Sequence, residues 1–267
     1  MPKDTRTKKK IPLSFLCRKM EFTIPKGWEE LTQEHLRHVL RLLWLHDGHA
    51  DGKRRVQVAA FIFFCNIEVV HETDQGWLCR ERRHGATFLL NTELLPSLLQ
   101  SVEWVTETEK MTVRIEQAGG YKAVDFELQD LPFGKYLEAE NNYQSFLQSK
   151  MDKCIVELTK ILYLVPDGSE DPDFREEELM GTFLWYAAAK QLLCRQFPDF
   201  LKPVDGKLEQ VTQESLIESM RAQIRLLTKG DVTKQRYILE ETDTWTALAE
   251  LDALARDAEE IRRKYGK

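Results

Sequence analysis

Four of the six histidines fall in two close pairs, His35-x-x-His38 and His46-x-x-His49, with Asp47 and Asp51 beside the second. Imidazole and carboxylate groups so close together are the donors of a zinc or related metal site. The spacing argues otherwise. A catalytic zinc helix places its histidines four apart with a glutamate between them, and Glu34 precedes the first pair instead. We read the cluster as a polar helix face running into a His-Asp-Gly-His turn, and assign no metal and no other cofactor. Glu138 with Glu140, and the run Glu176-Glu177-Glu178, are the groupings that a general acid or base would be drawn from. That work requires a shifted pKa in a cleft. The run instead stands where a helix should start, where acidic groups meet the positive end of the helix dipole. The sequence holds no GxSxG elbow, P-loop or GxGxxG turn. Cys17, Cys65, Cys79, Cys154 and Cys194 are odd in number and never form a CxxC pair, which fits buried reduced thiols better than a disulfide framework or zinc cage. The expectation is a protein that is not an enzyme, with no catalytic residue assigned.

Nucleic-acid binding is the alternative chemistry. Lys53-Arg54-Arg55 and Arg80-Glu81-Arg82-Arg83-His84 are compact basic groups near aromatic residues, the pairing that single-strand binders use for phosphates and base stacking. Lys8, Lys9 and Lys10 belong to a strongly basic start, and with Arg80, Arg82 and Arg83 they form the candidate nucleic-acid set. Against it stands the overall formal charge of −6 despite that basic start, which leaves a distinctly acidic body.

The elements that must position these groups are mixed in the first half and helical in the second. The 267 residues, 42% hydrophobic and 31% charged, suit a globular chain with a sizeable core. No apolar run reaches the length of a membrane-spanning helix, and residues 11–16, broken by Pro12, do not read as a secretory signal. Residues 20–24 alternate like a strand. Thr32 reads as the N-cap of a helix, with Leu31 and Leu36 as a hydrophobic staple and Leu36, Val39, Leu40 and Leu43 as its apolar stripe. Residues 54–66 predict a helix buried on more than one side. Residues 68–71, 77–79 and 87–90 predict a small antiparallel meander. A helix capped by Asn91 or Thr92 should run to about 103, and residues 111–115 and 124–128 should pair across Ala118-Gly119-Gly120-Tyr121. Beyond Asp130 helices are predicted at 133–148, 152–164, 176–196, 212–228 and 244–265, Thr212 repeating the capping device of Thr32. The class is α+β. The expected division is a basic tail (1–19), an α+β region (20–130), a helical region (131–243) and a C-terminal amphipathic helix (244–267).

That last helix carries the strongest interaction signal. Ala247, Leu251, Leu254, Ala258, Ile261 and Tyr265 follow alternating spacings of four and three, the seam of a helix seeking a partner. Asp252 with Arg256, Glu259 with Arg263 and Glu260 with Lys264 sit four apart in the favourable acid-first order. These six seam residues are the candidate partner-binding set, and removal of residues 244–267 is expected to abolish assembly while sparing the body.

Three stretches carry a family resemblance: Ile24-Pro25-Lys26-Gly27-Trp28-Glu29-Glu30-Leu31-Thr32; Leu131-Pro132-Phe133-Gly134-Lys135-Tyr136 through Glu140, leading to Leu158-Thr159-Lys160-Ile161-Leu162-Tyr163; and Phe183-Leu184-Trp185-Tyr186 with Phe197-Pro198-Asp199-Phe200. Together they resemble a family of tailed-phage and prophage structural-module proteins. Tyr163 departs from the family pattern, being followed by Leu-Val-Pro in place of an immediate proline. The resemblance implies a tail-assembly or chaperone-like factor whose partners are other phage structural proteins or itself. It implies a place in the host cytoplasm or the virion, and brings no catalytic residue with it.

Overall fold

The computed structural model describes residues 22–201 and 212–265. The chain falls into two compact units, Met1–Met111 and Thr112–Lys267. The class is α+β, with the longer strands in the first unit and most helices in the second.

In the first unit, Phe22 and Ile24 are buried and Thr23 is exposed, as alternation requires, but the segment is extended without a strand partner; Met20 and Glu21 lie outside the described residues. Helix α1 (Gln33–His46) opens at Thr32, whose hydroxyl accepts from the His35 amide at 3.2 Å. Leu36, Val39, Leu40 and Leu42 are its buried face. Helix α2 (Gly52–Phe64) packs on α1. A Cβ at Gly52 would stand 2.4 Å from the His46 carbonyl oxygen, so only glycine permits this short connection. Strands β1 (Ile67–Thr73), β2 (Gly76–Glu81) and β3 (Thr87–Asn91) form the expected meander in the order β1-β2-β3. Ile67, Cys79 and Leu90 point inward and are wholly buried. A register shift between Val69 and His71 marks a bulge that interrupts the exposed edge of β1.

The predicted helix after β3 is corrected. Helix α3 spans only Leu95–Gln100, because Thr92 serves the sheet instead: its amide donates to the Gln75 carbonyl at 2.9 Å. The chain continues as 3-10 turns at Glu103–Thr106 and Thr108–Lys110. They bring Trp104 edge-on to buried Trp28, ring centroids 5.4 Å apart, with the Trp104 Nε1 donating to the Pro25 carbonyl.

The second unit begins with a second correction. Only β4 (Gln117–Ala118) and β5 (Tyr121–Lys122) pair, around Gly119-Gly120. The flanks expected to extend this hairpin bond to helices. The Val124 amide donates to the Leu162 carbonyl, the Tyr163 hydroxyl to the Ile115 carbonyl, and the Trp185 Nε1 to the Phe126 carbonyl. For the same reason the compact helical unit starts at Thr112, earlier than the change of pattern at Asp130 suggests.

Helices α4 (Phe133–Ser149), α5 (Asp152–Leu162), α6 (Glu176–Gln196), α7 (Gln213–Thr228), α8 (Gln235–Glu240) and α9 (Thr244–Tyr265) complete the unit. Five were foreseen within two residues at their ends. Helix α8 was not, being six residues long with none buried. Thr212 caps α7 by accepting from the Ser215 amide. Leu158, Leu162, Tyr163, Trp185 and Tyr186 form a fully buried core.

Two predictions follow from the first unit. Gly76 has φ +139, and an added Cβ would stand 1.9 Å from the Leu90 carbonyl oxygen. Gly76→Ala should therefore destabilise by about 3 kcal/mol, seen as a lower urea midpoint. His38 lies parallel to Phe63 with ring centroids 3.7 Å apart. Burial lowers its pKa below the ordinary value, Arg41 and then His35 adding to the effect. The unfolded chain thus binds this proton first, so the His38 contribution is whole above about pH 6.5 and is lost as pH falls below it. His38→Gln should flatten stability against pH between about pH 7 and pH 5, measured by urea titration.

Candidate functional site

Helix α9 begins in the core of the second unit and ends on its exposed surface. Asp243 precedes it, its carboxylate accepting from the Thr246 amide at 2.9 Å as an N-cap does. Burial alone would raise this carboxyl; the hydrogen bonds from Thr246 and neighbouring amides outweigh it and hold the pKa below the ordinary carboxylate value. The Thr244 hydroxyl donates to the Leu131 carbonyl at 2.7 Å and the Trp245 Nε1 to the Glu127 carbonyl at 2.7 Å. Thr244, Ala247, Leu248 and Leu251 are at most 1% exposed.

The seam read from the sequence therefore divides. Ala247 and Leu251 are spent on the chain's own core, which takes them out of the candidate partner-binding set. Leu254 is half-buried. Ala258 is exposed, and Ile261 and Tyr265 are 60% and 80% exposed. Removing residues 244–267 would strip away core side chains, so the cut that isolates the outer surface falls after Arg256.

At the point of exit stands Asp252, only 4% exposed. One carboxylate oxygen accepts from the amides of Asp199 and Phe200 at 2.8 and 3.0 Å; the other accepts from Arg256 at 2.7 Å. Arg256 also donates to Asp199 at 2.9 Å. The expected pair Asp252–Arg256 is thus present, but its acid is a buried anchor and not part of an exposed charged face. Sequence reasoning missed this because the spacing of four explains Asp252 equally well as a surface partner. The pairs Glu259–Arg263 and Glu260–Lys264 form as expected, at 3.5 and 2.6 Å.

The rings of His35 and His38 pack on Phe63, His46 and His49 lie with ring centroids 6.2 Å apart, and among the described residues no group of three His, Cys, Asp or Glu side chains is placed to hold a metal. Glu138 pairs with Lys135 in solvent. Glu140 is enclosed: it accepts from Lys190 at 2.5 Å, Gln144 at 2.8 Å and Tyr186 at 3.1 Å, while Lys190 lies over the Tyr143 ring. Burial, and then Glu140, push the Tyr186 hydroxyl well above its ordinary pKa, so it stays protonated and donates. The arrangement locks α4 to α6. Glu178 accepts from the Arg175 amide at the start of α6, the structural use expected of that acidic run. Cys65, Cys79 and Cys154 are buried, and burial pushes the Cys79 thiol up to about 11.

Arg80 is exposed at the end of β2, opposite Glu68 and Thr87 in register; Arg82 and Arg83 are exposed in the turn before β3. Lys8, Lys9 and Lys10 lie outside the described residues, so the structure does not bring the two halves of that set together. No helix among the described residues is long and apolar enough to cross a membrane.

Asp252→Ala would leave two part-buried amides without an acceptor and free Arg256 from its inner partner. The expected loss is about 2–3 kcal/mol, read as a lower urea midpoint, against no more than about 0.5 kcal/mol for the exposed pair variant Glu260→Ala. Compared with known proteins, the chain matches no family model, no curated protein and no solved structure.

Proposed function

We propose that this chain is a non-enzymatic assembly protein of a tailed phage or prophage, a tail-assembly or chaperone-like factor that engages a structural partner or another copy of itself through the outer half of α9. The observation that carries this reading is the division of one helix into two parts. Its first half is core, tied down by Thr244, Leu248, Leu251 and Asp252. Its second half continues the same apolar seam into solvent through Ala258, Ile261 and Tyr265. Among the described residues an isoleucine and a tyrosine on one line of a well-paired helix are left largely exposed, and an aromatic beside an aliphatic residue is the composition of an interface centre. The enclosed state of Glu140 and the solvent pairing of Glu138 favour a protein without catalytic work. The resemblance of the three quoted stretches to phage structural-module proteins gives the biological class, and with it a place in the host cytoplasm or the virion.

The test is the absolute mass in solution, by light scattering coupled to size exclusion, of the full chain and of a version ending at Arg256. Circular dichroism should show both folded, since the cut spares every buried residue of α9. A multimer that loses mass on truncation supports the reading. Equal masses for the two chains at all concentrations would sink it as far as self-assembly is concerned, and failure of both to bind the purified structural proteins encoded alongside would sink the rest.

A further inference from the structure

We infer that the partner of the α9 end is a groove on a second copy of this chain, so that copies join head to tail; the inference rests on the reading of α9 given above. The groove, of about 730 Å³, lies among α4, α7 and α8. Helix α7 has a buried side, anchored by Leu216, and a second apolar line, Ile217, Met220 and Ile224, that lines the groove. Ile217 is 38% exposed. Three carboxylates, Glu138, Asp167 and Glu240, also line it, against the single lysine Lys135. Their side chains are 57%, 92% and 55% exposed, so they stand at the solvent margin.

The end of α9 has the complementary character. Ile261 and Tyr265 supply the apolar line, and Arg262, Arg263 and Lys264 outnumber Glu259 and Glu260 beside it, leaving a net positive margin. The local pairs that hold these charges are exposed or half-exposed on both surfaces: Lys264 with Glu260 and Arg262 and Arg263 with Glu259 at the helix end, Lys135 with Glu138 and Asp167 and Arg236 with Glu240 at the groove. Such pairs contribute little and can exchange partners when the surfaces meet.

The length of α9 sets its end apart from the edge of the groove at which the helix begins. Pro132, part of the groove lining, is bridged to Asp243, the residue before α9. Ile261 lies 17 positions after Thr244, about 26 Å along a continuous helix that leads away from that bridge. Groove and helix end are therefore at separate places on one unit, which makes the contact heterologous: each copy offers one of each, and association closes into a ring or extends as a filament according to the rotation between copies.

The experiment uses the full chain and two single variants, Ile261→Asp at the helix end and Ile217→Asp in the groove, with mass followed over a concentration series. Each variant alone should associate at least about tenfold more weakly than the parent. Mixed in equal amounts they should form a 1:1 dimer that grows no further, because one keeps an intact groove and the other an intact helix end. If Ile261→Asp abolishes association and Ile217→Asp does not, the helix-end reading stands and the groove is overturned as its site. If Ile261→Asp has no effect, both fall. A parent chain that is monomeric throughout overturns the inference. Should Ile217→Asp fail to fold by circular dichroism, Glu138→Lys and Lys264→Glu replace the pair: each should weaken association and the two together restore it, and absence of that rescue overturns the proposal.

Discussion

The second unit hangs on a clasp between residues 111 positions apart. Pro132 and Asp243 form an isolated antiparallel bridge, in which the Phe133 amide donates to the Thr242 carbonyl and the Thr244 amide to the Leu131 carbonyl, both at 2.9 Å. The bridge satisfies an amide at the start of α4 and another at the start of α9, groups that a helix cannot satisfy for itself. Beside the clasp, Gly134 lets α4 approach the backbone of α8: a Cβ there would stand 2.7 Å from the Leu239 carbonyl oxygen. From the clasp onward the directions of α4 and α9 are set together, and so are the groove beside one and the solvent-facing end of the other.

Five of the six helices of the second unit were legible because each carried its own signal, such as a cap at Thr212, an acidic start at Glu176 or an apolar stripe with matched charge pairs in 244–265. Periodicity is a local property and survives whatever the rest of the chain does. What failed was any element whose ends are decided by distant bonds. Thr92 has the chemistry of a cap and spends its amide on the turn at Gln75. Residues 124–128 have the composition of a strand, yet Val124 and Phe126 give their backbone groups to α5 and α6. Neither preference can be read from neighbours in sequence.

The same distinction governs the candidate site. The six seam positions of α9 were found by spacing, and spacing says which residues share a face, not how far along that face the body extends. Asp252 decides that boundary. Its importance was hidden because two of its donors are the amides of Asp199 and Phe200, in a turn whose link to α9 has no sequence signature. The groove was invisible for a related reason, since the second apolar line of α7 becomes a lining only once α4 and the unforeseen α8 stand beside it.

The exit of α9 at Asp252 separates two kinds of evolutionary constraint within a single helix. Before it, a change of side chain is answered by the core and is limited by volume. After it, positions 258, 261 and 265 are exposed among the described residues, and their chemistry can drift at little cost to stability. A lineage can thus revise what this helix recognises, one exposed residue at a time, while the rest of the molecule stays the same.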